Sequence, residues 1–149
     1  IGNILGLDQH WNVAIIGMGH LGAALANYQG IARLGFHLVA IFDVNPVVIG
    51  TRVGERRVED IAYLAEIIAE RDVQIGVIAV PAAHAQDVAD QLVAAGIRGI
   101  WNFAPIKLQV PPNVPFVSED LSVGLSSLSY YLTHTSAENE ELSDQNSSN

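Results

Sequence analysis

The stretch Val13-Ala14-Ile15-Ile16-Gly17-Met18-Gly19-His20-Leu21-Gly22 decides the fold of this chain. Its first four residues are apolar, which predicts a short buried strand of a parallel sheet. A Gly-x-Gly-x-x-Gly spacing follows directly, and residues 21–26, rich in Ala and Leu, predict a helix after it. A strand, a glycine turn and a helix in this order are typical of a Rossmann-type dinucleotide-binding domain.

Each glycine of this loop has a physical task in such a domain. Gly17 permits a tight turn, Gly19 lets the backbone approach a pyrophosphate, and Gly22 lets the helix pack closely on the strand. Free N–H groups at the helix start would bind the anion. The predicted cofactor-binding loop therefore consists of Gly17, Met18, Gly19, His20, Leu21 and Gly22. The alternative is a tight turn without a ligand.

A second apolar run, residues 36–42, ends at Asp43, 21 positions after Gly22. A carboxylate at this place accepts hydrogen bonds from the ribose hydroxyls of NAD and repels the 2′-phosphate of NADP. Residues 44–46 contain no arginine that could bind such a phosphate. The sequence therefore favours NAD and NADH, although Asp43 could also only cap a turn.

The rest of the chain alternates strands and helices. Further strands are predicted at 75–80 and 99–103, a short edge strand at 116–117, helices at 60–71 and 86–95, and a charged loop at 51–59. This alternation predicts an α/β fold with a doubly wound parallel sheet. We expect residues 1–11 to be a linker remnant and residues 12–117 to form the domain.

Two segments follow predicted strands at the edge where such a sheet binds its ligand. Val80 and Pro81 follow one strand, and Asn102, Phe103 and Ala104 lie at the end of the next. They would form a rigid wall beside the nicotinamide half of the cofactor, and Asn102 could donate to a ribose or carboxamide. The alternative for each is an ordinary loop.

The C-terminal part of the chain predicts a helix over residues 118–134 with Ser118 as its N-cap. Leu121, Leu125, Leu128 and Leu132 form one apolar stripe. The stripe would pack on the chain's own sheet or on a partner. Residues 135–149 are acidic and rich in Ser and Asn, which predicts a disordered tail.

Composition excludes several classes of protein. The net charge is −9, and 7 basic residues without a cluster do not predict nucleic-acid binding by this chain alone. Cysteine is absent, and the five histidines show no pair at ligand spacing, so we expect no metal site. No apolar run reaches the ~18 residues of a membrane span. A soluble intracellular protein without membrane contact is expected.

The chain does not present the residues of an enzyme in a recognisable arrangement. His84, His20, Lys107 and Tyr28 are possible proton donors, but their spacing matches no catalytic constellation. The segment after Asn102 is also short for a substrate domain. The sequence therefore favours a binding module over a catalyst.

Five blocks of the sequence resemble one known family. Residues 7–13, 17–28, 42–46, 94–105 and 119–125 read LDQHWNV, GMGHLGAALANY, FDVNP, AAGIRGIWNFAP and EDLSVGL. In order and content they resemble the C-terminal domain of the redox-sensing transcriptional repressor family Rex. The Asn-Phe-Ala-Pro block and the Asp-Leu-x-x-Gly-Leu block carry more weight than the glycine motif, which many dehydrogenases share.

This resemblance implies a function that the residues alone do not. Members of the family are homodimers with an N-terminal winged-helix DNA-binding domain and a C-terminal NAD(H)-binding domain, and NADH releases them from DNA. It implies that this chain is a cytoplasmic NADH/NAD+ sensor that dimerises by exchanging its C-terminal helix. DNA would be contacted only by a winged-helix domain that precedes this chain, which begins at Ile1.

The resemblance also assigns roles to three residues outside the glycine loop. Tyr28 and Asp120 match a pair whose contact differs between the NADH and NAD+ states. Leu121 matches a position near the nicotinamide that is aromatic in some relatives, and His20 stands where arginine is frequent. The rival hypotheses are a small NAD-dependent oxidoreductase, or part of one, and a CoA-binding module, against which Asp43 argues.

Overall fold

The computed structural model describes residues 9–28, 30–119 and 125–135. The chain divides into two compact units, Ile1–Glu119 and Asp120–Asn149. The strands of the first unit are β1 Trp11–Ile16, β2 Phe36–Asp43, β3 Arg52–Val53, β4 Arg56–Asp60, β5 Ile75–Ile78, β6 Gly99–Asn102 and β7 Phe116–Ser118. Its helices are α1 His20–Ala26, α2 Gly30–Arg33, α3 Leu64–Glu70 and α4 Ala82–Ala94, with a 3₁₀ turn at Ile61–Tyr63.

In the described part of the chain, seven strands form one sheet in the order β3-β4-β2-β1-β5-β6-β7. All neighbours are parallel except β3 and β4. Without the short β3, the order is that of a Rossmann sheet, in which the direction of winding reverses between the first and fourth parallel strands. The predicted α/β doubly wound fold is confirmed, and the reversal lies between β1 and β5.

Apolar side chains cover both faces of the sheet. On one face, Ala14, Ile16 and Phe42 belong to the large core cluster that α3 and α4 complete. On the other face, Val13 and Ile15 form a smaller cluster, against which Leu25 and Ala26 of α1 pack. We call these the α3–α4 face and the α1 face. Alternation along β1 thus supplies both cores.

The region predicted as a charged loop contains β3 and β4. Val58 is the only apolar residue of β4, and its side chain is buried in register with Ile41 of β2. One buried side chain was too weak a pattern for the strand to be predicted among four charged neighbours. The predicted helix over 60–71 starts later for a related reason, because Asp60 ends β4 and its carboxylate accepts from the Ala62 N–H.

Parallel pairing of β1 and β2 brings two histidines together that are far apart in the sequence. His10 Nδ1 and His37 Nε2 are 2.9 Å apart, and the rings stack. Their spacing in the sequence gave no sign of this approach, because it depends on the pairing of the two strands. Among the described residues, no group of three or more His, Asp or Glu side chains forms a metal-binding cluster.

The C-terminal helix differs from its prediction at its start. Ser118 lies in β7, where its Oγ is 3.3 Å from Asn102 Nδ2, so it is not the predicted N-cap. The structure describes a helix over residues 125–135, on which Leu125, Leu128 and Leu132 are exposed. Residues 120–124, with Asp120 and Leu121, and the predicted tail from 136 onward lie outside the described residues. No described helix is long and apolar enough to cross a membrane.

Packing of α4 on the sheet gives a test of the fold. Leu92 is fully buried and packs directly on Gly76 of β5, which has no side chain to fill a hole. Leu92→Ala should therefore lower the free energy of unfolding by about 2–5 kcal/mol. Urea denaturation followed by circular dichroism measures this change. Val47→Ala, at a residue that is 82% exposed, is the control and should change stability by less than about 0.5 kcal/mol.

Candidate functional site

The candidate site begins where β1 ends at the reversal of winding. Gly17 has a φ of 106°, and its N–H donates to the Phe42 carbonyl at 2.8 Å. A Cβ at this position would lie 2.6 Å from the Ala79 carbonyl oxygen, after β5. Both the positive φ and the close approach require glycine. The tight turn predicted for Gly17 is present.

The other two glycines of the loop differ in what surrounds them. A Cβ at Gly22 would collide with the carbonyl oxygen of Gly17, so glycine is required for α1 to pack on the turn. A Cβ at Gly19 would meet no atom within 4 Å, and its φ of −78° suits any residue. Among the described residues, nothing requires a glycine at position 19. The open space beside this backbone fits a group that must come close to it.

Asp43 ends β2 and holds the glycine loop from the side. Its Oδ2 accepts from the Met18 N–H at 2.7 Å, and its Oδ1 accepts from the N–H groups of Val44 and Asn45 at 2.7 and 3.0 Å. A carboxylate offers about four acceptor positions. Three are used, so Oδ2 has room for about one further donor. The expected acceptance from both ribose hydroxyls would need one of these contacts to change.

A cavity of about 410 Å³ lies along the strand ends from Asp43 to Phe103. Ten predicted site residues line it: Gly17, Met18, Gly19, His20, Leu21, Asp43, Val80, Pro81, Phe103 and Ala104. The fold thus brings together segments from four separate loops. A larger groove of about 770 Å³ lies between α4 and residues 106–111, and no predicted site residue lines it. The smaller cavity is the candidate site.

Asn102 does not take the predicted place in this cavity. Its side chain is fully buried; Oδ1 accepts from the Ala104 N–H at 2.9 Å, and Nδ2 lies 3.1 Å from the Ala104 carbonyl and 3.4 Å from the Ile106 carbonyl. The amide is therefore occupied by the loop that follows β6. The structure corrects the expectation that Asn102 donates to a ligand, because its role is to fix Phe103 and Ala104.

Two other predicted residues that the structure describes, Gly22 and Tyr28, do not line the cavity. Gly22 lies behind the loop and serves the packing of α1. Tyr28 is 62% exposed, with its ring against the backbone of Gly30, and does not line the cavity. Asp120 and Leu121 are outside the described residues, so the predicted contact of Tyr28 with Asp120 stays a prediction.

Several lining residues were not predicted as site residues. Ile61 lies in the 3₁₀ turn after β4, and His84, Asp87 and Gln91 belong to α4. Ile61 matched a helix core pattern; it packs against the large core cluster and also lines the cavity. His84 was missed because the helix begins at Ala82, whereas the prediction began it at residue 86; Asp87 and Gln91 lay within the predicted helix but were not assigned to the site. Pro81 directly before Ala82 was the available signal, since proline favours helix starts.

Comparison with known proteins identifies the family. The family model described as a CoA binding domain matches residues 8–106. The redox-sensing transcriptional repressor Rex of Clostridium perfringens strain SM101 is 46% identical over 134 residues, which are 90% of this chain and 63% of that protein. The chain belongs to the CoA-binding domain family, and the predicted membership of the Rex family is confirmed.

Solved structures of Rex-family proteins agree with this assignment. The crystal structure of RSP in complex with β-NADH has a TM-score of 0.84 and 42% identity, over 92% of this chain and 66% of that one. RSP in complex with β-NAD+ and operator DNA has a TM-score of 0.85 and the same identity, over 92% of this chain and 63% of that one. The chain thus spans less than two thirds of the Rex proteins that it matches.

The two glycines give a test that separates packing from ligand approach. Gly22→Ala should lower the free energy of unfolding by about 2 kcal/mol or more, because the Cβ meets a backbone oxygen that cannot move freely. Gly19→Ala should cost less than about 1 kcal/mol, the cost of alanine at a helix N-cap. Thermal denaturation of both variants measures this. Equal losses of unfolding free energy in the two variants would contradict the conclusion that only Gly22 is required for packing.

Proposed function

We propose that this chain is the NADH/NAD+-sensing regulatory domain of a Rex-family transcriptional repressor. The observation that supports it most directly is the cavity at the reversal of winding, bounded by the glycine loop at one side and by Asp43 and Phe103 at its ends. The names of the relatives are those of repressors, not of enzymes. In the proposed protein, NADH binding releases DNA that a separate winged-helix domain contacts.

The residues of the cavity fit a dinucleotide. Gly19 leaves open space beside a backbone that can approach a pyrophosphate, and Met18, His20 and Leu21 line the same side. The remaining acceptor position of Asp43 suits a ribose hydroxyl, and its negative charge disfavours a phosphate on that ribose. Both features favour NAD and NADH over NADP. The same charge disfavours CoA, whose ribose carries a phosphate.

The other end of the cavity would receive the nicotinamide. Val80 and Pro81 follow β5, and Phe103 and Ala104 follow β6, so apolar surface lines this end. The bound group supplies a ring that is neutral when reduced and positive when oxidised. Removing a positive charge from water is costly in such surroundings. A preference for NADH follows, and it supplies the free energy for a redox-dependent change of state.

The resemblance to the Rex family supplies the rest of the proposed switch. Tyr28 and Asp120 would change partner between the two cofactor states, and Leu121 would lie near the nicotinamide. Tyr28 is 62% exposed, so its side chain is accessible to such a partner. The free-energy difference between NADH and NAD+ binding limits how far this switch can shift the protein.

We further propose that the chain forms a homodimer through its C-terminal helix. The helix over 125–135 exposes Leu125, Leu128 and Leu132, an apolar stripe that a monomer would leave in water. The α1 face of the sheet also has apolar surface beyond α1, since Val117 of β7 is 56% exposed. Exchange of the helix between two copies would bury such surfaces, as the family resemblance implies.

Calorimetry with both cofactors tests the sensing function. NADH should bind 10²–10³-fold more tightly than NAD+, a difference of ~3–4 kcal/mol, because only the oxidised ring brings a charge into the cavity. NADPH and CoA should compete poorly with NADH. Equal affinity for NADH and NAD+ would rule out the sensor, and tight CoA binding would favour the CoA module. Turnover of NADH with carbonyl substrates would favour the oxidoreductase.

Size-exclusion chromatography with light scattering tests the dimer. The double variant Leu125→Glu/Leu128→Glu should elute as a monomer, because charge on the stripe cannot be buried in an apolar interface. The control is Ser126→Glu/Ser127→Glu, which adds the same charge to neighbouring exposed positions of the helix. An unchanged mass of the leucine variant would refute a dimer through this helix.

A further inference from the structure

Strand β2 contains one residue more than its partner strand. Val13 of β1 pairs with Leu38, and the next residue, Ala14, pairs with Ala40. Val39 therefore has no partner in β1 and forms a β-bulge. Consecutive residues of a regular strand face opposite sides of the sheet. Val39 and Ala40 are consecutive, but both pack on the α3–α4 face. Such an insertion reverses the facing of every later residue of the strand.

The bulge decides on which face Asp43 lies. Leu38 packs on the α1 face, and in a regular strand residues 40 and 42 would follow it there while residue 43 would face α3 and α4. With the extra residue, Phe42 enters the large core and Asp43 falls on the side of the glycine loop and α1. From this side its carboxylate accepts from the Met18 N–H. The ligand-facing position of Asp43 thus depends on Val39.

Two arginines bind the bulge at its carbonyl oxygen. Arg56 Nη1 and Arg71 Nη1 each lie 3.0 Å from the Val39 oxygen. Arg71 also pairs with Glu59, with Nη2 and Oε1 3.0 Å apart, and Glu59 is in register with Phe42. Arg71 directly follows α3, while Arg56 and Glu59 belong to β4. Two charged donors thus satisfy the carbonyl oxygen of the bulged residue.

We propose that Arg71 and Arg56 are positioning residues for the ribose-binding carboxylate, which they hold on the ligand side of the sheet by fixing the bulge at Val39. The part of this proposal that concerns ligand affinity rests on the proposed NAD(H) function. The part that concerns the contact between Asp43 and Met18 can be tested without a ligand. Neither arginine lines the cavity. Their effect reaches the ligand along β2, because Val39 and Asp43 are four positions apart on this strand.

The first test compares NADH and NADPH affinity in Arg56→Met/Arg71→Met. A displaced Asp43 no longer accepts from the ribose of NADH and no longer repels the phosphate of NADPH. NADH should therefore bind about tenfold more weakly while NADPH does not weaken, so the ratio of the two affinities falls about tenfold. General loosening of the domain would weaken both equally. The single variant Arg71→Lys keeps a charged donor at this position. It should therefore keep most of the wild-type ratio of NADH to NADPH affinity.

Arg57→Met is the matched control. Arg57 belongs to the same strand and donates from Nη1 to a backbone carbonyl at the same distance, 3.0 Å, but the acceptor is Gly50, which is outside the bulge. This variant should keep the wild-type ratio. In an Asp43→Ala background the double arginine variant should cause no further change in the ratio, because the carboxylate on which the arginines act is absent.

The second test needs no ligand. Hydrogen exchange measured by NMR reports the Met18 amide, which donates to Asp43 Oδ2. Its exchange should be about tenfold faster in Arg56→Met/Arg71→Met than in Arg57→Met. Unchanged Met18 exchange, or an NADH/NADPH ratio that stays at the wild-type value, would overturn the positioning role. A wild-type chain that binds no NADH would overturn the proposed function instead, and the Met18 measurement would still decide this inference.

Discussion

The close approach of Gly17 to Ala79 is the constraint on which the rest of the site depends. No side chain fits between the ends of β1 and β5, and the chain can turn there only with a positive φ. This turn directs α1 across the end of β1, where Gly22 meets the Gly17 carbonyl without a Cβ. The loop between them then lies open along the cavity, and Asp43 can bind it from the side. The absence of a side chain at Gly17 and at Gly22 thus determines where a ligand fits.

Much of this architecture was predictable because local pattern and global fold agree. The apolar runs of β1, β2 and β5 and the spacing of Val88, Ala89 and Leu92 in α4 each reflect burial against one common core. A strand of two buried faces needs an apolar run, and a helix on one face needs a periodic stripe. The glycine spacing and Asp43 added the position of the cavity. Ten predicted residues line it for this reason.

The features that escaped prediction depend on contacts between distant segments. The bulge at Val39 leaves no mark in an apolar run, because valine fits either face of a buried strand. The role of Asn102 could not be read from its type, since an amide at a strand end can serve a ligand or its own loop. Its burial and its contact with Ser118, 16 residues later, show that the side chain of Asn102 binds its own loop. Sequence spacing contains no record of such pairings.

Asn102 nevertheless bears on how the cavity could distinguish two charge states. Its amide nitrogen engages the carbonyl oxygens of Ala104 and Ile106, which belong to the loop that follows β6. A loop held by these bonds cannot turn its carbonyls toward a positive ring without breaking buried hydrogen bonds. The wall formed by Phe103 and Ala104 would therefore stay apolar in both redox states. In the proposed sensor, discrimination between NADH and NAD+ would then rest on this rigidity as much as on composition. A flexible polar loop would compensate the charge and reduce the difference in affinity.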